Sequence, residues 1–149
     1  MRKWRLIENM TVVCYRNGIL AADSLFVIDD STKCPIGTVK KIFQRGHFIY
    51  AFAGCPFNIM NYINAFNVSE PLDDDATIIE FRKDSKTFYE ISSKGSLNIG
   101  IPEFFAIGSG AEAALGALYM GATAIEAVEA ACNVNIFCGL PVEHIRLWD

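Results

Sequence analysis

The sequence lacks the features of a membrane protein and of a nucleic-acid-binding protein. No apolar run approaches the ~20 residues that a membrane-spanning helix requires. There is no basic excess either, since 13 Lys and Arg stand against 17 Asp and Glu and leave a net charge of −4. Because nucleic acids are bound by basic faces, this balance argues against such a partner. We therefore expect neither a membrane nor a nucleic acid among the partners.

Residues that hold metals or build disulfide frameworks are also scarce. Two His and no CxxC motif leave little for a zinc site, and we expect no metal and no other cofactor. Residues 1–9 are charged and lack the apolar stretch of a secretory signal, which predicts a cytoplasmic protein. In a reducing cytoplasm the five cysteines are expected to be free thiols, and their odd number prevents complete pairing within one chain. They are at positions 14, 34, 55, 132 and 138.

Apolar residues, by contrast, are abundant. They make up 52% of the 149 residues, and the mean hydropathy is +0.25. The length fits one domain. The 11 Phe, 5 Tyr and 2 Trp, with only 20% charged residues, exclude a disordered chain. So high an apolar content predicts apolar surface shared with other subunits in addition to a core.

Pairs of β-prone segments joined by turns dominate the sequence, as at Asn17-Gly18, a strong hairpin signal. The predicted strands are 11–15, 19–22, 40–43, 48–53, 76–82, 87–92, 97–101, 104–107 and 142–147. The predicted helices are 57–67, 111–119 and 123–132, the last with a capping box at Thr123 and Glu126. The polar segments 25–38 and 71–75 are predicted to be loops. Hairpins with grouped helices indicate an α+β fold, and strands apolar on both faces indicate two stacked sheets covered by helices, a four-layer sandwich.

Four local features are candidates for chemistry. They are Thr11 at a strand start, Asp23-Ser24 at a strand end, Lys40-Lys41 before a strand, and the glycine turns 53–54 and 108–110 that lead from strands into helices. Each is ordinary by itself, and Gly108-Ser109-Gly110 lacks the length and the lysine of a phosphate-binding P-loop. Their order along the chain is more specific than any single feature.

Taken in order, these motifs resemble the proteasome β-subunit family and the peptidase subunit of the bacterial ATP-dependent two-component protease. The resemblance is greatest to the short proteasome-like proteins of bacteria and phages. It is carried by residues 11–18, 21–24, 38–42, 53–54 and 106–110, and it extends over about residues 10–147. It implies a four-layer αββα fold, that of the N-terminal-nucleophile (Ntn) hydrolases.

The resemblance also implies a role for each matching position. Thr11 matches the nucleophilic threonine, Asp23 matches the aspartate that pairs with the catalytic lysine, and Lys41 matches that lysine. Gly54 matches the residue whose backbone N–H forms the oxyanion hole, and Ser109 matches the serine near the terminal amine.

Three further positions are interpreted, two from their place in the sequence and one from the resemblance. Phe52 and Cys55 are candidates for lining the pocket that receives an apolar or small substrate side chain. Asn135 stands where relatives often carry an aspartate, a departure from the family pattern.

The chemistry of the implied set is consistent. A threonine hydroxyl is a poor nucleophile until a nearby base takes its proton. An α-amino group, with a pKa near 7.7–8.0, is a better proton acceptor at neutral pH than a lysine near 10.4. The terminal amine of Thr11 would therefore act as the base, Lys41 would supply positive potential and Asp23 would hold Lys41 in place.

This chemistry requires Thr11 to be the first residue, yet ten residues precede it. Segment 1–10 is thus an extension to a domain of residues 11–149. It is a propeptide removed by self-cleavage, or translation begins at Met10 and removal of that Met exposes Thr11, or the segment stays and the protein is inactive. The Met immediately before Thr11 favours the alternative start.

The leading hypothesis is a threonine-type endopeptidase that cleaves peptides or unfolded proteins. Such subunits form homo-oligomeric rings with sites facing an inner chamber, and an ATPase unfoldase is a possible partner. One alternative is a non-catalytic structural or interaction protein of the same fold, favoured by segment 1–10 and Asn135. Another is an amidase that acts on a small molecule with the same machinery.

Overall fold

A computed structural model describes residues 11–27, 35–54, 56–64, 71–134 and 138–149. In chain order the strands are β1 (Val13–Arg16), β2 (Ile19–Ala22), β3 (Leu25–Val27), β4 (Pro35–Thr38), β5 (Ile42–Arg45), β6 (Phe48–Ala53), β7 (Thr77–Arg82), β8 (Thr87–Ser92), β9 (Gly95–Gly100), β10 (Phe104–Ile107) and β11 (Glu143–Arg146). The helices are α1 (Pro56–Asn64), α2 (Ala111–Tyr119) and α3 (Ala124–Val134).

The strands form two main antiparallel sheets. One has four strands in the order β10-β1-β2-β11, and the other has five in the order β5-β6-β7-β8-β9. The register in the first sheet places Val13 of β1 opposite Ala22 of β2, so the start of β1 lies beside the end of β2. That adjacency brings the residues flanking these two strands together.

The two sheets stack face to face on a shared apolar core. Alternate residues of each strand face this core, as the two-residue period of a strand requires. Tyr15 of the first sheet contacts Phe88 of the second with ring centroids 4.7 Å apart, and Phe81 lies 4.9 Å from Phe88. Val13, Leu20 and Ile49 are fully buried in the same cluster.

Helices cover the outer faces of both sheets. On the four-stranded sheet, small buried residues of α2 and α3 such as Ala114 and Ala127 pack against Cys14 and Ala21, so the helices approach the sheet closely. On the five-stranded sheet, Ile59 of α1 packs in a cluster with Phe52 and Ile78. The predicted four-layer αββα arrangement is therefore confirmed.

The predicted signals for helix starts are also confirmed. Thr123 Oγ1 accepts the N–H of Glu126 at 3.1 Å, and Glu126 Oε1 accepts the N–H of Thr123 at 2.9 Å, which is the reciprocal capping box. Helix α1 begins at Pro56, where a missing N–H costs nothing. The predicted end of this helix, 65–67, lies outside the described residues.

Some predicted elements differ from the structure in kind or in their bounds. The segment 25–38 is not only a loop, because Leu25–Val27 pairs with Pro35–Thr38 as a short antiparallel hairpin. The three apolar residues of Leu25–Val27 are too few to show the alternation of a strand. The neighbouring Gly and Pro therefore led to the prediction of a loop. The strands predicted from residues 11 and 40 begin at Val13 and Ile42 instead. The N–H groups of Val12 and Lys41 donate to carboxylates rather than to a neighbouring strand.

In the part of the chain that the structure describes, no helix is both long enough and apolar enough to cross a membrane.

Candidate active site

Three buried polar residues meet where strands of the two sheets begin and end. Thr11 lies two residues before β1, Asp23 directly after β2 and Lys41 directly before β5. They are 4%, 0% and 3% exposed, respectively. Buried polar groups require partners, and these three satisfy one another. The structure thus brings together three residues that are widely spaced in the sequence.

Asp23 Oδ1 is the point at which the three residues join. It accepts hydrogen bonds from Lys41 Nζ at 2.8 Å, from Thr11 Oγ1 at 3.1 Å and from the N–H of Val12 at 3.1 Å. One carboxylate oxygen therefore fixes the ammonium and the hydroxyl side by side. An ammonium held in this way favours negative charge on the adjacent hydroxyl oxygen.

The other carboxylate oxygen fastens Asp23 to the backbone. Oδ2 accepts the N–H of Leu25 at 3.3 Å and the N–H of Gly139 at 3.1 Å. Ser24 continues this attachment, since its N–H donates to Gly139 O at 3.0 Å and its hydroxyl donates to Pro141 O at 2.6 Å. The segment before β11 therefore holds the Asp23 side chain rigid, a contribution that the sequence analysis missed.

Ser109 lies against the nitrogen of Thr11. The N–H of Thr11 donates to Ser109 Oγ at 3.2 Å, and the N–H of Gly110 donates to Thr11 O at 3.1 Å. Ser109 itself is exposed, so the site is open to solvent on this side. The predicted proximity of Ser109 to the Thr11 nitrogen is present in the structure.

Gly108 makes the close approach of this turn possible. It has φ +97°, and a Cβ built on it would lie 2.1 Å from Thr11 O. Side chains other than glycine are strained at such a φ, and here the added carbon would overlap backbone. The turn 108–110 therefore needs a glycine at its first position to reach Thr11.

Gly54 lies at the same end of the five-stranded sheet as Lys41. The N–H of Phe52 donates to Lys41 O at 3.3 Å, and Gly54 follows two residues later with φ +135°. A Cβ at Gly54 would lie 3.0 Å from Ala76 Cα and 3.2 Å from Ile59 Cδ1. Its assignment as the oxyanion donor stays a prediction.

Of the two residues predicted to line a substrate pocket, the structure describes only Phe52. Phe52 is 1% exposed and stacks on Phe43 with ring centroids 5.7 Å apart, in the cluster beneath α1. A substrate side chain could reach it only if this packing opened. Cys55 and Asn135 lie outside the described residues.

Within the described part of the chain, three free cysteines lie within electrostatic reach of Asp23, and none of them is an activated nucleophile. Burial raises the pKa of Cys14 to about 12, of Cys132 to about 11 and of Cys138 to about 12, and the charge of Asp23 adds to each rise. They are therefore thiols at neutral pH, whereas the thiolate is the reactive form. Cys14 is fully buried and is a free thiol, as predicted. Among the described residues, no group of three or more His, Cys, Asp or Glu could hold a metal ion.

A second carboxylate, that of Glu143 on β11, contacts the backbone of Lys41. Nothing in the sequence predicted this contact. Glu143 Oε1 accepts the N–H of Lys41 at 2.5 Å and the N–H of Ile42 at 3.0 Å. Burial raises the pKa of Glu143, an effect that the two N–H donors oppose. A glutamate at a strand start resembles any surface glutamate, so only the fold reveals this contact.

Comparison with known proteins finds solved structures of similar fold but no match by sequence. No protein-family model and no curated protein matches the chain. Among solved structures, BPH from Thiobacillus denitrificans in complex with epoxomicin is 17% identical, with a TM-score of 0.62 over 93% of this chain and 99% of that one. A second BPH structure is 18% identical, with a TM-score of 0.62 over 91% of this chain and 95% of BPH.

HslV from Trypanosoma brucei also has a similar structure, at a slightly lower identity and TM-score. It is 14% identical, with a TM-score of 0.59 over 91% of this chain and 98% of HslV. The expected structural likeness to proteasome-type peptidases and to the peptidase subunit of the ATP-dependent protease is thereby confirmed. The chain has the layered α+β fold of the proteasome-like Ntn hydrolases.

Proposed function

We propose that the chain is a threonine peptidase whose nucleophile is Thr11 Oγ1. The observation that carries this proposal is the sharing of Asp23 Oδ1 between Lys41 Nζ and Thr11 Oγ1, at 2.8 and 3.1 Å. The hydroxyl group of Thr11 thereby lies next to a buried ammonium, while the Thr11 nitrogen lies 3.2 Å from Ser109 Oγ. A hydroxyl, a nitrogen on the same residue and a fixed cation are the parts that N-terminal nucleophilic catalysis needs.

The nitrogen of Thr11 becomes a base only when no residue is joined to it. In the 149-residue chain it is a peptide N–H and can only donate. As a free amine it has a lone pair and a pKa near neutrality, about 7.7–8.0. We therefore propose that the active form begins at Thr11, through cleavage after Met10 or through translation from Met10, and that residues 11–149 form its domain.

The proposed reaction has two stages. The Thr11 amine takes the hydroxyl proton while Oγ1 attacks the substrate carbonyl, and the Gly54 N–H stabilises the oxyanion. The C–N bond breaks as the amine returns the proton to the leaving group, so that an ester of Thr11 remains. Water, deprotonated by the same amine, then hydrolyses the ester and restores the hydroxyl. Losing one oxyanion donor typically costs on the order of 10²–10³ in rate.

We also propose a homo-oligomeric ring in the cytoplasm, acting on peptides or unfolded proteins, with an ATPase unfoldase as a possible partner. Exposed apolar side chains support an assembly, for example Tyr119 at 78% and Met120 at 89% exposure. The likeness to BPH and HslV, a proteasome homologue and a protease subunit, supports both the peptidase activity and the ring.

The test uses the chain with Thr11 as its first residue. It is expected to hydrolyse small fluorogenic peptides and to gain the mass of epoxomicin, the compound present in one BPH structure, on the tryptic peptide that contains Thr11. Thr11→Ala should abolish both results, and the chain that retains residues 1–10 should show neither. Absence of both hydrolysis and adduct in the Thr11 form would refute the proposal.

The ten residues before Thr11 favour one competing function, a non-catalytic member of this fold. Intact-mass measurement of the protein from its native host separates the two. A terminus at Thr11 supports the peptidase, and a terminus at Met1 supports the non-catalytic protein.

A further inference from the structure

Lys41 is held at both of its ends by carboxylates. Its ammonium donates to Asp23 Oδ1 at 2.8 Å, and its backbone N–H donates to Glu143 Oε1 at 2.5 Å. The same Glu143 oxygen accepts the N–H of Ile42 at 3.0 Å. Two consecutive amides therefore converge on one oxygen of a half-buried carboxylate. Hydrogen bonds to an ionised acceptor are stronger than those between neutral groups.

The position of Glu143 in the fold gives this contact its significance. β5 is an edge strand of the five-stranded sheet, so the N–H groups on its open side have no strand to bond to. Glu143 lies on β11, an edge strand of the other sheet, opposite Ala22, the residue immediately before Asp23. Its side chain thus joins the two sheets at the place where Lys41 meets Asp23.

We propose that Glu143 is a positioning residue that fixes the backbone of Lys41 and so keeps its ammonium on Asp23 Oδ1. The significance of this role for catalysis rests on the proposed peptidase function. Without the carboxylate, the two N–H groups would turn toward water and the start of β5 would shift. A displacement of ~1 Å in a catalytic group can cost on the order of a hundredfold in rate.

The first experiment measures the position of Lys41 in the complete 149-residue chain and needs no activity. The folded chain is acetylated briefly with a water-soluble amine reagent, and mass spectrometry gives the acetylation rate of each lysine. Lys41 is 3% exposed and should react slowly, whereas the exposed Lys94 on the β8–β9 turn serves as the internal standard.

Two substitutions of Glu143 distinguish loss of the hydrogen-bond acceptor from loss of side-chain volume. Glu143→Met has a similar size but no strong acceptor, and it should raise the Lys41-to-Lys94 ratio roughly tenfold, the scale of one hydrogen bond to a charged group. Glu143→Gln keeps a carbonyl oxygen at the same reach, and its ratio should stay within about twofold of the unaltered chain. Equal ratios in the Met variant and the unaltered chain would overturn the proposal.

A third variant covers the case in which Glu143→Met does not fold. Glu143→Asp keeps the charge but is one methylene shorter, so it should also raise the labelling ratio. Failure of both the Met and the Asp variants to fold would show that Glu143 is required for the fold as a whole, and would also overturn the proposal.

The second experiment measures the catalytic consequence in the form that begins at Thr11. Glu143→Met should lower kcat roughly tenfold to a hundredfold with KM within about twofold, and Glu143→Gln should restore most of kcat. A purely structural role would lower the melting temperature without this split in the kinetic constants. If the unsubstituted form that begins at Thr11 is inactive, the peptidase function alone is refuted, because the labelling ratio still decides where Lys41 is held.

Discussion

Asp23 Oδ1 and Lys41 Nζ lie 2.8 Å apart, and the two side chains are 0% and 4% exposed. A buried ion pair of this kind is weak support for stability, because desolvation of two charges offsets their attraction. Under the proposed peptidase function, its location beside the Thr11 hydroxyl, at the meeting point of two sheets, gives the pair a role in the chemistry. Stability and the proposed catalysis are therefore expected to respond differently when the pair is removed.

Asp23→Asn is expected to reduce both stability and activity. The neutral amide removes the charge opposite the Lys41 ammonium, which should lower the free energy of unfolding by about 3 kcal/mol. Peptide hydrolysis in the Thr11 form should fall roughly a hundredfold or more, because the ammonium is no longer held next to Oγ1. Urea unfolding and steady-state kinetics measure the two effects.

The double variant Asp23→Asn with Lys41→Met is the control for that prediction. Removing both charges should recover more than about 1 kcal/mol of the lost stability while hydrolysis stays abolished. A double variant no more stable than Asp23→Asn alone would contradict the assignment of the stability loss to the unpaired ammonium.

Gly108→Ala is expected to damage the site itself. The new Cβ would lie 2.1 Å from Thr11 O, so the 108–110 turn must move away and carry Ser109 with it. The Thr11 form should lose epoxomicin labelling and should be less stable. Both properties can be measured on one preparation, by mass spectrometry and by urea unfolding.

Gly121→Ala is a matched control, since Gly121 has a similar φ of +99° and nothing within 4 Å of its Cβ. It should cost only the strain of a left-handed alanine, about 1–2 kcal/mol, and should leave the labelling rate unchanged. Equal losses of labelling in both glycine variants would mean that backbone strain, rather than overlap with Thr11, decides the outcome.

Ser109→Ala is expected to lower activity with little effect on stability. Ser109 is exposed, yet its Oγ is the acceptor for the Thr11 nitrogen at 3.2 Å. Loss of this contact should let the terminal amine rotate and should lower kcat roughly tenfold. Ser93→Ala, at another exposed serine, should change neither property. An unaltered kcat in Ser109→Ala would show that the amine is oriented by other groups.

The fold was largely predictable because its strands and helices carry strong local signals. Asn17-Gly18 marks a hairpin, Thr123 and Glu126 mark a helix start, and α2 occupies the predicted residues 111–119. The β3–β4 hairpin was missed because its strands are too short to establish a period. Strand ends shifted at Val13 and Ile42, where side-chain carboxylates replace the ladder partners.

The site was predictable only in part, for a related reason. Thr11, Asp23 and Lys41 were found because they stand beside strands in a recognisable order, and the structure does bring them together. Gly139 and Glu143 fix Asp23 and Lys41 from the far end of the chain. Gly139 does so through its backbone N–H, and Glu143 by accepting the backbone N–H groups of Lys41 and Ile42. Contacts of this type between residues 100 or more positions apart carry no local sequence signature.

The buried thiol of Cys14 predicts a specific loss of stability in alkali. Burial raises the pKa of Cys14 from about 9 to about 12, so above pH 9 the thiol ionises in the unfolded chain but not in the folded one. Folding is then linked to proton uptake, and the stability present below pH 9 decreases as the pH rises toward 12.

In Cys14→Ala this contribution is absent. The variant should be less stable than the unaltered chain at pH 7, because of the cavity left by the sulfur, and the difference should narrow between pH 9 and pH 10.5. Urea unfolding at a series of pH values measures the gap, and a gap that stays constant across this range would show that Cys14 titrates normally in the folded protein.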